Sequence, residues 1–217
     1  MAEDPTLPQL QAVRLRVSKL EFSTGVPLPG AHNIYVTDAF VRVGFKWVTK
    51  EANEIEVENA QGALCAYAKG EKTFKRGEVT LGLCSSDPYL EQLLDGGAIL
   101  SGGDLGDRIG HAAPALGTFP HQAVSVEVWT KRIKNGTLDT TSPYAWWVYP
   151  RIQAITPSDH EHANAELKRE FVGEAYENPN WSDGPLNDWP AASDRVHQWV
   201  PTSTLPAVTG SAALLAS

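Results

Sequence analysis

The chain has 217 residues, of which 42% are hydrophobic and 20% charged, with a net charge of −8. That length and balance suit one soluble globular domain of ordinary size. No run of Lys or Arg stands out, which argues against a phosphate grip on nucleic acid, and no stretch approaches the roughly 18 uninterrupted apolar residues of a membrane span.

The first residues, MAEDPTLPQL, lack the basic start and apolar centre of a signal peptide. Cys65 and Cys84 both lie in apolar, strand-like runs. Two buried thiols are expected rather than a disulfide, in a protein made and assembled in a reducing cytoplasm.

Residues 1–9 read as a loose N-terminal arm. Gln11–Phe22 alternates, with Val13, Leu15 and Val17 on one side and Arg14, Arg16 and Ser18 on the other, a period-two strand pattern. A turn-rich loop follows at 24–33. Asn33–Trp47 reads as one longer strand, and Glu51–Glu58 alternates Ile55 and Val57 with Glu54, Glu56 and Glu58. Ala63–Ala68 is short and apolar, Lys69-Gly70 turns the chain, and Lys72–Cys84 is extended again. Gly77 marks a candidate bulge within it.

Residues 85–97 give the clearest helix. Ser86 or Asp87 can cap it, Pro88 fits its first turn, Gly96 can end it, and Tyr89, Leu90, Leu93 and Leu94 form one apolar face. So short a helix must pack on a sheet to persist. Leu100–Pro120 carries five glycines and two prolines and reads as the longest loop. Ala123–Lys134 alternates and ends at Asn135-Gly136, a hairpin signal. Tyr144–Ile155 is an aromatic strand in which Trp146 and Trp147 face opposite sides. Within 164–177 the residues Phe171, Val172, Gly173 and Tyr176 favour strand over helix, and 197–200 can add a last strand. From Val196 onward the chain has no Asp, Glu, Lys or Arg, so the tail reads as an arm lying on its own domain or on a neighbour. The expected organisation is an arm at 1–9, a β domain at 10–200 and a C-terminal arm at 201–217, whose deletion should impair packing between copies more than folding.

The chemistry is thin. Asp159-His160-Glu161-His162 is the one ligand-like cluster, and an extended backbone would put His160 and His162 on one face. The spacing fails the helical zinc motif, because position 164 is Asn. It also fails the His-x-His-x-Asp-His pattern, where 164 and 165 are Asn and Ala. A metal-dependent hydrolase at these histidines is the weakest alternative. His111 and His121 flank a Gly/Pro loop without an evident partner. No nucleophile elbow, phosphate-cradling loop or dinucleotide fingerprint occurs, so no catalytic residue, metal site or cofactor is assigned. Seven tryptophans leave a glycan-binding β-sandwich module as the other alternative.

The stretch Glu177–Pro190, ENPNWSDGPLNDWP, holds three prolines and two tryptophans. Such a backbone is irregular but stiff, and its Trp181 and Trp189 suit burial as anchors. This stretch, together with NIYVTDAFVRVGFKW (33–47) and KTFKRGEVTLGLCSSDPYLEQLLDGG (72–97), resembles the major tail tube protein of long-tailed bacteriophages, particularly those of actinobacterial hosts. The likeness spans most of residues 33–190, and its motifs are not catalytic.

The resemblance implies a mainly β fold, a β-sandwich or rolled barrel with one short packed helix and extended terminal arms. It implies sixfold rings stacked into a hollow tube, assembled in the host cytoplasm and carried in the virion tail. Partners would be further copies of the chain and the tape-measure, terminator and distal tail proteins at the tube ends. DNA would pass through the lumen without specific binding. Under that reading Trp181, Trp189, Pro185, Leu186, Leu205 and Val208 are candidates for subunit interfaces. Asp38, Glu54, Glu56, Glu58 and Glu127 are candidates for a phosphate-repelling lumen.

Overall fold

A computed structural model describes residues 7–52, 54–62, 64–103, 109–118, 122–158, 169–181 and 195–209. In chain order it forms β1 (Gln9–Lys19), β2 (Ile34–Thr37), β3 (Phe40–Lys50), β4 (Glu54–Glu58), β5 (Leu64–Lys69), β6 (Thr73–Leu83), α1 (Pro88–Asp95), β7 (Ala98–Leu100), β8 (Gly110–Ala112), β9 (Ala123–Lys134), β10 (Thr137–Leu138), β11 (Tyr144–Pro157), β12 (Arg169–Tyr176) and β13 (Gln198–Thr202). The protein is mainly β, with one short α-helix among the described residues, as the residue pattern predicts.

The main sheet runs β2-β1-β9-β11-β12-β6-β3, with β10 on β9 and β13 on β11, and every pairing is antiparallel. β2 and β3 sit at the two ends of this path, yet only Asp38 and Ala39 separate them in sequence. Seven flat strands would put those ends about 29 Å apart, whereas the three Cα steps from Thr37 to Phe40 reach about 11 Å. The sheet therefore rolls up on itself. This also corrects the single strand expected over 33–47: the segment divides at Asp38-Ala39, its first half pairing with β1 and its second with β6.

Rolling gives the sheet an inner and an outer face, and both are covered. The inner core holds Leu15 and Val17 of β1, Val79, Leu81 and Leu83 of β6, Val124, Val126 and Val128 of β9, and Phe171 of β12. α1 seals it with Leu90, Leu93 and Leu94, and fully burying each leucine contributes about 1.5–3 kcal/mol. The helix stands where its signals place it. Asp87 accepts from Tyr89 N at 3.0 Å and Leu90 N at 3.4 Å, Pro88 opens the first turn, and Gly96 ends it at φ 75°.

The outer face carries a second cluster of Leu20, Ala123, Trp129, Trp146, Val148 and Trp181. Trp147 instead packs towards the inner core, so the adjacent pair does split between faces. The Asn135-Gly136 hairpin is present, with φ 51° and 79°, as are β12 and β13 in the segments read as strands.

Three expectations are corrected. Residues 98–100 and 110–112 pair as a small hairpin, so the stretch read as the longest loop is partly ordered as strand. Gly77 keeps regular register opposite Trp47 and Ala175, and the irregularity lies two residues away, at Lys75. Cys65 and Cys84 form no disulfide but are both exposed, because β5 is exposed throughout and Cys84 lies just past the end of β6.

Candidate assembly surface

Between β3 and β6 the chain leaves the barrel as a ribbon of two strands, β4 and β5, which pair only with each other. Every described residue of both strands is exposed. Register puts Ile55 opposite Ala68 and Val57 opposite Ala66 on one face, and Glu54 opposite Lys69 and Glu56 opposite Tyr67 on the other. The sequence alternation here is real, but no core lies beneath the apolar row: Ile55 is 60% and Val57 49% exposed. A lone two-stranded ribbon is marginal in water. Aromatic residues continue the apolar surface at its root, where Trp47 of β3 packs on Phe74 of β6 at 4.5 Å between ring centroids. Phe74 is itself 70% exposed.

That root leads inward through rings. His197 lies 4.6 Å from Phe45, 5.6 Å from Trp47 and 5.9 Å from both Trp147 and Tyr149, centroid to centroid. Burial lowers the His197 pKa from its usual 6.5 and raises that of Tyr149 to about 12.

On the outer face Glu127 is fully buried. It accepts from Arg16 Nε at 2.7 Å and Nη2 at 2.5 Å, and from Trp146 Nε1 at 2.8 Å. The Arg16 guanidinium lies 5.3 Å from the Trp129 ring centroid, and Trp129 and Trp146 stack at 5.6 Å. Burial raises the Glu127 pKa, opposed by the charge and hydrogen bonds of Arg16 and the bond from Trp146. The residues after β13 cross this site, and Pro201, Thr202, Thr204 and Pro206 line a cavity of about 290 Å³ above Arg16 and the two tryptophans. Thr209 ties the strap to β2: its N–H donates to Val36 O at 3.1 Å and its Oγ1 accepts from Val36 N at 3.0 Å.

A further polar knot fixes α1. Glu91 and Asp95 are buried; Arg169 Nη2 donates to Glu91 at 3.1 Å, and His111 places Nε2 3.0 Å from Asp95 and Nδ1 3.3 Å from Glu91. His111 thus does have partners, supplied by a helix 16 and 20 residues upstream that sequence spacing did not connect to it. The knot ties β8 and β12 to the helix.

The interface and lumen candidates scatter. Glu54, Glu56 and Glu58 come together on the wet face of the ribbon. Asp38 is exposed, 3.4 Å from Arg14. Glu127 is buried within the subunit against Arg16 and Trp146. Trp181 is 2% exposed and packs into the subunit's own outer cluster. It is held there by Asn178, which accepts from Trp181 N and donates to Gly25 O at 2.8 Å and Pro150 O at 3.0 Å. Leu205 packs on the same cluster, and Val208 is exposed. Pro185, Leu186, Trp189, His121, His160 and His162 lie outside the described residues. Among the described residues no three His, Cys, Asp or Glu side chains are grouped to hold a metal ion, and no helix is long and apolar enough to cross a membrane.

No family model matches the chain, and no curated protein matches it. Among solved structures it is similar to a chain in the cryo-EM structure of an extracellular contractile injection system, the PVC sheath–tube complex in its extended state. The TM-score is 0.32 and the identity 11%, over 78% of this chain and 88% of the other. A likeness that low decides nothing about this chain's role.

Proposed function

We infer that the protein is a structural, self-assembling subunit of a phage-type tail tube: copies form rings, sixfold by the resemblance, and rings stack around a lumen that passes DNA. The observation that carries this is the β4–β5 ribbon, a projection of two short strands with an apolar row and no core of its own. A monomer gains little from building such an element, whereas a polymer covers it with the next copy. The glutamate row then stays wet and is the best remaining source of a phosphate-repelling wall. Further tail proteins would meet the tube at its ends, in a virion tail assembled in the host cytoplasm. A glycan platform is less favoured, because Trp47 is the one described tryptophan among the exposed large hydrophobics and its ring is taken up by Phe74 and His197.

The test is sedimentation velocity and negative-stain microscopy of the full chain at rising concentration, with and without a tube-initiating tail protein. Wild type should give rings or tubes. The variant carrying Ile55→Glu and Val57→Glu should keep its fold by circular dichroism and stay monomeric. A wild type that remains monomeric even with the initiator sinks the reading.

A further inference from the structure

Two arginines stand on the outer face of β1, and neither is fully used by its own carboxylate. Arg16 gives Nε and Nη2 to Glu127. That contact takes one edge of a guanidinium fork with five N–H donors, so Nη1 keeps its hydrogens without an acceptor among the described residues. Arg14 lies across from Trp129 in register. Its Nη1 stands 3.4 Å from Asp38, whose side chain is 65% exposed, and its Nε is buried without a hydrogen-bond partner among the described residues. Arg16 lines the cavity of about 290 Å³ beneath the strap, whereas the fully buried Glu127 does not. Whatever enters the cavity therefore meets the cation and not its carboxylate. The stretch 200–206, which supplies the strap side, contains no Asp or Glu. Thr202 and Thr204 add hydroxyls, and the rest of the lining is apolar or aromatic, from Trp129, Trp146, Val200, Pro201 and Pro206.

We propose that this cavity binds a small carboxylate with a flat apolar body: the carboxylate accepts from Arg16 Nη1, and the body lies against Trp129, Val200, Pro201 and Pro206. An apolar pocket with a few convergent polar groups is how ligand sites are built. The donor excess selects an acceptor, and a charged donor favours an ionised one, because hydrogen bonds between ionised groups are about twice as strong as neutral ones. Arg14 adds a second positive charge on the same face, which offsets the repulsion between the ligand and Glu127. The volume stands at the lower limit of ligand pockets, about 300–1,000 Å³, so the body is about one ring in size. Flat rings pack well on indole faces. A buried ion pair such as Arg16–Glu127 costs desolvation that an apolar pair would avoid, and a ligand that needs the guanidinium gives the pair a use that folding alone does not. The site belongs to the subunit's own barrel and does not depend on the reading of the chain as a tube subunit.

Isothermal titration calorimetry of the full chain with benzoate, and with its neutral isostere benzamide, tests this. Benzoate should bind saturably at one site per chain, and benzamide about tenfold more weakly. Two variants locate the site. Arg16→Gln combined with Glu127→Gln removes the fork and its partner together, so that no buried charge is left alone. Thr204→Phe fills the cavity from the strap and leaves Arg16 and Glu127 untouched. Each should weaken benzoate binding about tenfold or more, with circular dichroism showing that the fold is kept. Should the double variant fail to fold, Thr204→Phe decides alone. The inference is overturned if benzoate shows no saturable binding, if benzamide binds as tightly as benzoate, or if benzoate binds the Thr204→Phe chain as well as wild type. Assembly does not enter this readout, so failure here leaves the tube reading standing, and failure of that reading leaves this site standing.

Discussion

The ring of His197 is enclosed by Phe45, Trp47, Trp147 and Tyr149, and its Nδ1 is buried without a hydrogen-bond partner among the described residues. Burial disfavours the imidazolium, so the folded pKa lies below 6.5. Above that value the ring is neutral in both states and folding is unaffected. As pH falls through 6.5 the unfolded chain takes up a proton that the folded chain resists, so stability is lost towards the lower, folded value. His197→Phe removes this loss. Urea midpoints between pH 7.5 and 5 should fall faster for wild type than for the variant, and parallel curves would refute the claim. Single residues were the hardest part to read from the sequence. Glu127 sits in an alternating strand and looks like its wet face, but alternation reports two faces without saying that one is wet. Here Arg16 and Trp146 cover it. Conversely, the apolar neighbours of Cys65 suggested burial, although the strand that holds them has no core beneath it.

At the scale of elements the sequence is more candid, because strands and caps are local. The helix is legible from Asp87, Pro88 and Gly96 alone, since each supplies a local bond or a dihedral angle. Gly77 was misread for the same reason: a glycine in a strand suggests a bulge, whereas this one is demanded by a side chain from the neighbouring strand. An added Cβ would lie 2.4 Å from Phe45 Cε2 and 2.7 Å from Cζ, distances that no packed interior tolerates. Phe45 in turn contacts Trp47, Tyr149 and His197, so it has little room to move aside. Gly77→Ala should therefore destabilise the fold by about 1–3 kcal/mol through overpacking, measured by chemical denaturation. A stability equal to wild type would show that the ring yields freely. The break at Asp38-Ala39 escaped detection because Val36 and Val41 keep the strand composition on both sides. What changes there is the pairing partner, which no local pattern encodes.

At the scale of the whole molecule, rolling brings the ends of the sheet together and leaves edges to be managed. β2 is short, and its edge away from β1 is closed by the two hydrogen bonds between Val36 and Thr209. β13 carries Pro201, which cannot donate to an added strand. The residues after β13 thus serve the subunit's own barrel as far as Thr209: they line the cavity above Arg16, pack Leu205 on the outer cluster and cap an edge. None of this followed from a chargeless C-terminal composition, which fits a strap over its own domain as well as an arm over a neighbour. Ending the chain after Thr202 keeps all of β13 and the inner core, so the protein should still fold. It loses the partial burial of Leu205 and two hydrogen bonds, the latter about 1 kcal/mol each, and it opens solvent access to a buried ion pair. Part of this is offset by the freedom the released strap regains, leaving a net loss of about 2 kcal/mol. Thermal and urea unfolding of the truncated monomer measure it. An unchanged midpoint would mean that the strap contributes nothing to its own barrel, and that its contacts matter only between copies.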